Sequence, residues 1–187
     1  FFGAEPPQSA NLISLFFTGG SLAVAGTMLM KLRWHERLAP RRIFFLIMFV
    51  AFLLLNRTFL EWSSSGLETA MFSFFIAAWV YSAVFVQRPA LCAAACGWSA
   101  ALLALTRPDG YLFCLASFAI TVLLALPTEQ RGRTARILLC GLLPFCVVAA
   151  HLAWRFSFYG EWLPNTYYAK QAPAWPESGA RYLLSFV

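Results

Sequence analysis

The sequence predicts an all-α, polytopic transmembrane helical bundle of about six complete spans with a seventh beginning, and three observations predict it. Hydrophobic residues make up 60% of the 187 residues and charged ones 12%, where a soluble domain carries roughly a quarter charged. Mean hydropathy is +0.68, gathered into long runs such as IFFLIMFVAFLLL that show none of the alternation of a barrel strand. Short clusters of charge separate the runs, the pattern of several helices rather than one anchor. The net charge of +6 therefore reads as a topology signal. The partner expected is a lipid bilayer, and no nucleic acid is expected.

The elements follow in order. A short polar lead-in with Pro6 and Pro7 opens onto an apolar segment over residues 11–30, where Gly19, Gly20, Ala23 and Gly26 let a neighbouring helix come close. A basic cluster follows, Lys31, Arg33, Arg37, Arg41 and Arg42 against Glu36. The second span is expected over residues 43–60, about 27 Å at the helical rise. A Ser-rich turn in EWSSSGLETA precedes a third span reaching residue 86; Ser65 can cap it, with Glu68 in its first turn at the positive end of the helix dipole. Gln87, Arg88 and Pro89 turn the chain into a fourth span over 90–105, which ends at the polar turn TRPDG. A fifth span over 111–126 leads to TEQRGRTAR, and a sixth over 137–154 to RFSFYGEWLPNTYYAK, residues 155–170. The chain opens at Phe1 without an initiator Met and closes inside an apolar stretch from about Tyr182, so it reads as a single transmembrane-domain fragment of a longer protein.

Alternating loops segregate charge. Residues 31–42, 87–89 and 127–136 hold nine Lys/Arg and two acids, Glu36 and Glu129. The opposite set holds five Lys/Arg (Arg57, Arg107, Arg155, Lys170, Arg181) and six acids (Glu5, Glu61, Glu68, Asp109, Glu161, Glu177). Short loops rich in Lys and Arg stay cytoplasmic. SSSGLET, TRPDG and FYGEWLPNTYYAK are thus expected together on the non-cytoplasmic face of a multi-pass membrane protein.

Residues 155–170 are the longest stretch in which aromatics, charges, Asn and Pro displace hydrocarbon. Three polar turns on one face, each with an acid and two with a cation, have the makings of one site at the water–lipid boundary. Arg107 and Lys170 suit a phosphate, one as a planar fork and the other as a point charge. Glu68, Asp109 and Glu161 can accept hydrogen bonds from sugar hydroxyls, and Tyr159, Trp162, Tyr167 and Tyr168 offer flat faces to a sugar ring or lipid chain. A plainer reading stands beside this one: Tyr and Trp gather at any bilayer interface, Arg107 and Asp109 can pair across Pro108, and Glu68 can serve only as a helix-start residue. Cys92, Cys96, Cys114, Cys140 and Cys146 all lie in apolar segments and read as packing residues. No metal-ligand set or cofactor motif is read, and whether a divalent metal is required stays open. His35 reads as a solvated loop residue, and Asn56-Arg57-Thr58 matches a glycosylation acceptor but hugs the membrane.

Ser65-Gly66-Leu67-Glu68, Arg107-Pro108-Asp109-Gly110, and Tyr159-Gly160 with Leu163-Pro164-Asn165-Thr166 and Ala169-Lys170, in this order and on one face, resemble the bacterial polytopic glycosyltransferases of the GT-C class. The likeness is nearest to the branch of terminal arabinofuranosyltransferases of cell-wall arabinan, and it covers residues 60–170. It implies transfer of a sugar from a polyprenyl-phosphate donor to a glycan or other envelope acceptor outside the bacterial cytoplasmic membrane. Carried over by position, Glu68, Arg107, Asp109, Tyr159, Asn165, Tyr168 and Lys170 would line or support the donor cavity. That family keeps its principal acid in the first external loop, so the catalytic base is expected upstream of Phe1 and none is assigned here. Two other classes fit the composition. One is a transporter or flippase of lipid-linked sugars, which would want ionisable groups at mid-membrane that the span centres lack. The other is a membrane scaffold, which gives the polar turns no reason to share a face.

Overall fold

The structure, a computed structural model, describes residues 6–64, 68–128, 130–162, 177, 181–182 and 184–185, with side chains from Ser9 onward. Among them are seven α-helices and no strand: α1 Pro6–Lys31, α2 Arg42–Leu55, α3 Arg57–Ser64, α4 Thr69–Phe85, α5 Pro89–Thr106, α6 Tyr111–Ala125 and α7 Arg131–Tyr159. Two 3₁₀ turns, Ala39–Arg41 and Pro108–Gly110, link α1 to α2 and α5 to α6. Four helical stretches are long and apolar enough to cross a bilayer, and five if the bent α2–α3 pair counts as one span. The seventeen-residue α4 is apolar but shorter.

Polarity is distributed as lipid demands. Large apolar side chains point outward, Phe16 at 74% exposure and Leu112 at 70%, while Ser117 and Thr121 are fully buried. Water would drive the reverse; in a bilayer the outer surface is hydrocarbon, and small polar residues lie between helices where they find partners. α5 is the central helix because its sequence, PALCAAACGWSAALLALT, is small enough to be approached from several sides. Cys92, Ala93, Cys96, Gly97, Ala100, Ala101 and Ala104 are all buried. A Cβ on Gly97 would stand 2.6 Å from the Gly141 carbonyl oxygen and 3.2 Å from Pro144 Cγ of α7. Pro144 lies inside α7 and is itself buried, so the helix-breaking residue is supported by a neighbour.

A polar thread crosses this interior. Trp79 Nε1 of α4 donates to Ser117 Oγ of α6 at 2.7 Å, Ser117 Oγ donates to the Cys96 carbonyl of α5 at 3.1 Å, and Thr121 Oγ1 donates to the Ser117 carbonyl at 2.8 Å. Ser117→Ala should cost about 1–2 kcal/mol, because it leaves the part-buried Trp79 indole N–H without its acceptor. Thermal unfolding in detergent of Ser117→Ala, Trp79→Phe and the double variant measures this. Fully additive single effects would show that the two side chains are not coupled.

The contacts fix helix directions. Phe17 and Gly20 meet Phe74, and Lys31 Nζ donates to the Tyr81 hydroxyl, so α1 and α4 run parallel. Cys92 Sγ reaches the Ser82 carbonyl while Arg107 stacks over Phe72, so α5 returns antiparallel to α4. Cys114 Sγ reaches the Ala100 carbonyl, which makes α6 antiparallel to α5. Ala93, Ala125 and Ile137 cluster, and Gly141 faces both Gly97 and Thr121, so α7 ascends beside α5. One end of the bundle thus gathers Lys31, Arg88 and Arg133, and the other gathers Glu68, Arg107 and Asp109.

Three sequence expectations change. The continuous second span over 43–60 is instead broken at Asn56, where α2 and α3 diverge by 72°. Asn56 takes an extended conformation (φ −82°, ψ 108°), and its Oδ1 accepts the Phe59 N–H at 3.0 Å, capping α3 at the third helical position. This gives Asn56 a structural task. α2 alone reaches about 21 Å, short of the hydrocarbon core. The sixth span grows at both ends into the 29 residues of α7. The helix continues past the supported Pro144 to Gly160, whose φ of 70° and N–H to the Phe156 carbonyl (2.8 Å) end it with a left-handed residue. Finally, Glu68 precedes α4 rather than lying in its first turn, and its side chain caps no backbone group. Ser65 lies outside the described residues. Of the cysteines, Cys92 and Cys96 are buried, Cys114 and Cys140 are half-buried, and Cys146 faces outward.

The chain divides into two compact units at 151/152, within α7. The second unit carries its own aromatic cluster. Trp154 stacks on Phe158 at 5.8 Å, Phe156 stacks on Trp162 at 4.4 Å, and Arg155 lies over the Tyr159 ring at 5.7 Å.

Candidate functional site

The 3₁₀ turn Pro108–Gly110 positions the charged residues of the first unit. Pro108 cannot continue α5, and Arg107 before it takes the extended conformation (φ −146°, ψ 148°) that proline imposes on its predecessor. The turn then folds back on α5. A Cβ on Gly110 would overlap the Leu103 carbonyl group and the Ala104 nitrogen, so only glycine lets the turn lie on the end of the helix.

This places Arg107 between two carboxylates and above a ring. Its Nη1 is 3.7 Å from Glu68 Oε1, its Nε is 3.6 Å from Asp109 Oδ2, and its guanidinium carbon is 5.6 Å from the Phe72 centroid. Phe72 in turn meets Phe113 edge-on at 6.4 Å, tying the cluster to α6. Arg107 is thus shared between the α3–α4 connection and the TRPDG turn. At 3.6–3.7 Å these are ion pairs without hydrogen bonds, so the guanidinium N–H groups and both carboxylates keep their directional capacity for another partner. Arg107 is 39% exposed at its side chain, Glu68 49% and Asp109 68%, so all three are open to a ligand.

The formal charge of the trio is −1, and that decides what it can grip. A lone guanidinium flanked by two carboxylates does not make an anion site; it makes a set of oriented acceptors around one planar donor. Hydroxyl-rich ligands suit that arrangement, since carboxylates accept from vicinal hydroxyls while Arg107 donates to an oxygen between them.

Beside Glu68, through Thr69, opens a cavity of about 470 Å³ between α1, α3 and α4. Seven of its ten lining residues carry a hydroxyl or amide (Thr18, Ser21, Asn56, Thr58, Ser63, Thr69, Ser73), and Phe59 and Trp62 supply ring faces. Thr18 and Ser21 donate to their own helix at the Ser14 and Phe17 carbonyls (2.9 Å each), which leaves their oxygens as acceptors, while Asn56, its Oδ1 committed to Phe59, keeps its NH₂ as a donor. The sequence reading missed this cavity. The available signal was a pair of hydroxyls one turn apart on an apolar helix, Thr18/Ser21 on α1 and Thr69/Ser73 on α4.

Of the seven residues singled out from sequence, Glu68, Arg107 and Asp109 come together. Tyr159 belongs to the second unit, in the cluster with Trp154, Arg155 and Phe158. Asn165, Tyr168 and Lys170 lie outside the described residues. Among the described residues no three His, Cys, Asp or Glu side chains gather to hold a metal. Comparison of the chain with protein-family models, with curated proteins and with solved structures finds no match.

Proposed function

We propose that the chain serves in the transfer of a sugar from a polyprenyl-phosphate donor to a cell-envelope acceptor, as its resemblance to the GT-C class implies, with six spans and with the Arg107 end on the non-cytoplasmic side of the bacterial cytoplasmic membrane. The observation that carries the reading is the Glu68–Arg107–Asp109 cluster next to a hydroxyl-lined cavity with aromatic faces. The cavity wall is mostly carbon with hydroxyls interspersed, which suits the apolar face and the hydroxyls of a sugar ring together, and exposed apolar helices around it suit a polyprenyl chain. In this reading the carboxylates hold sugar hydroxyls and Arg107 fixes their orientation. The acceptor hydroxyl attacks the anomeric carbon, the bond to the phosphate oxygen breaks, and the departing polyprenyl phosphate gains negative charge that cations stabilise. Glu68 and Asp109 both face Arg107, so neither is given the role of the base that takes the acceptor proton.

One observation favours a second reading. The cavity reaches Thr18 and Ser21, well inside α1, and a hydroxyl-lined passage at that depth also suits a carrier of lipid-linked sugars. Proteoliposomes of the full-length protein, loaded with a polyprenyl-phosphate-linked sugar and an oligosaccharide acceptor, separate the two. The proposal expects a new glycosidic product; movement of the lipid-linked sugar between leaflets with no product would establish the carrier. Orientation is tested by a cysteine in place of Ser64, which should react with an impermeant reagent from outside the cell.

A further inference from the structure

At the opposite end of the bundle three arginines surround a cavity of about 540 Å³. Arg88 immediately precedes α5, and Arg133 and Arg136 lie one turn apart at the start of α7. The fully buried Ile137 lies among the apolar lining. Among the described residues no ion pair engages any of the three. Cations at helix N-termini are unfavourably placed, because the helix dipole is already positive there. Here the starts of two helices carry Arg88, Arg131, Arg133 and Arg136 with no acid in either first turn. Glu129 lies outside the described residues; counted at full charge it still leaves four cations against one acid.

Retaining a loop in the cytoplasm requires arginines only somewhere in that loop. It does not require them around a cavity, nor does it explain what lies next to that cavity. A second cavity of about 460 Å³ shares Pro89, Gln130 and Arg133 with the first and is walled by Leu123, Leu124 and Pro127. Leu123 is 66% exposed on the lipid-facing side of α6. A basic cavity therefore passes directly into an apolar groove at the level where two spans begin, which is the profile of a phospholipid: phosphate above, acyl chain below.

We infer that the Arg88–Arg133–Arg136 cavity binds the phosphate of an anionic phospholipid, with one acyl chain lying along Leu123 and Leu124. Arg suits this as a planar fork that can engage two phosphate oxygens, and basic pockets between spans are a recurring kind of lipid headgroup site. The inference is independent of the sugar-transfer reading, since it rests on the other end of the bundle.

Native mass spectrometry of the chain, released from micelles containing equal phosphatidylglycerol and phosphatidylcholine, tests it. The unsubstituted chain should retain phosphatidylglycerol with a preference of about tenfold or more. Arg88→Gln/Arg133→Gln/Arg136→Gln should abolish that preference. Arg33→Gln/Arg37→Gln/Arg41→Gln, which removes the same charge away from the cavity, should keep it. Arg133→Gln alone, which leaves the topology signal nearly whole, should weaken the preference severalfold. Millimolar glycerol phosphate should not displace the lipid. An undiminished preference in the cavity triple variant, an equal loss in the control triple variant, or displacement by free glycerol phosphate would each overturn the assignment.

Discussion

Arg107→Gln is expected to lower sugar transfer by roughly 100-fold to 1000-fold, the usual scale for removing one oriented charged donor from a transfer site, while the thermal midpoint barely moves. The split follows from where the residue sits. Arg107 is partly solvated, its two ion pairs are longer than hydrogen bonds, and exposed pairs of this kind contribute little to folding. Its contribution to a bound sugar is different: without the guanidinium, Glu68 and Asp109 face one another as like charges with nothing to hold their orientation. Arg107→Lys keeps the charge but loses the fork and the stacking over Phe72, so it should recover only part of the rate. Initial rates of the full-length protein with a polyprenyl-phosphate-linked sugar, beside thermal unfolding of the same preparations, check both halves. Unchanged transfer in Arg107→Gln removes the residue from the mechanism, and a collapse of both rate and midpoint makes it a folding residue instead.

Gly110→Ala should cost about 2–3 kcal/mol of stability and should lower transfer as well. Its backbone is unremarkable, with φ −62°, so the cost is not conformational. It arises because an added methyl would occupy the same space as the Leu103 carbonyl and the Ala104 nitrogen, which are backbone atoms in the last turns of α5 and cannot rotate aside. The turn must lift, and Asp109 and Arg107 move with it, away from Glu68. Gly19→Ala in α1, where a new Cβ meets nothing within 4 Å, is the control and should leave the midpoint unchanged or slightly raised. Chemical and thermal unfolding in a neutral detergent read the difference. Equal midpoints for the two variants would show that the turn does not bear on α5.

The helical class and the separation of a basic end from an acid-bearing end were legible because both depend on composition summed over many residues. Arg88 and Arg133 fall at one end and Arg107 at the other, and hydropathy with loop charge was sufficient to assign them so. Local geometry was less legible where one residue overrides its surroundings. Asn56 is a single polar position in a run that reads as continuous span, yet its capping of Phe59 turns the chain by 72°. Residues 131–136 read as a loop because arginines are polar, although Arg is a good helix former and nothing there breaks a helix. For the site, the Arg107–Asp109 half could be anticipated from adjacency across Pro108. The Glu68 half required knowing that α4 and α5 pack antiparallel with Phe72 beside the TRPDG turn. The hydroxyl-lined cavity was hidden because Thr18 and Ser21 satisfy their hydroxyl protons on their own helix and so do not disturb an apolar pattern.

The central claim is that the Arg107 end of the bundle holds a lipid-linked sugar, and direct binding tests it most simply. The purified chain in neutral micelles, titrated with a short-chain polyprenyl-phosphate-linked sugar and followed by tryptophan fluorescence, should saturate. Affinity should fall about tenfold or more in Arg107→Gln and in Glu68→Gln, and should hold in Arg57→Gln, whose charge lies in the exposed Arg57–Glu61 pair of α3. Saturation with the same affinity in all four proteins, or none in the unsubstituted chain, would contradict the account.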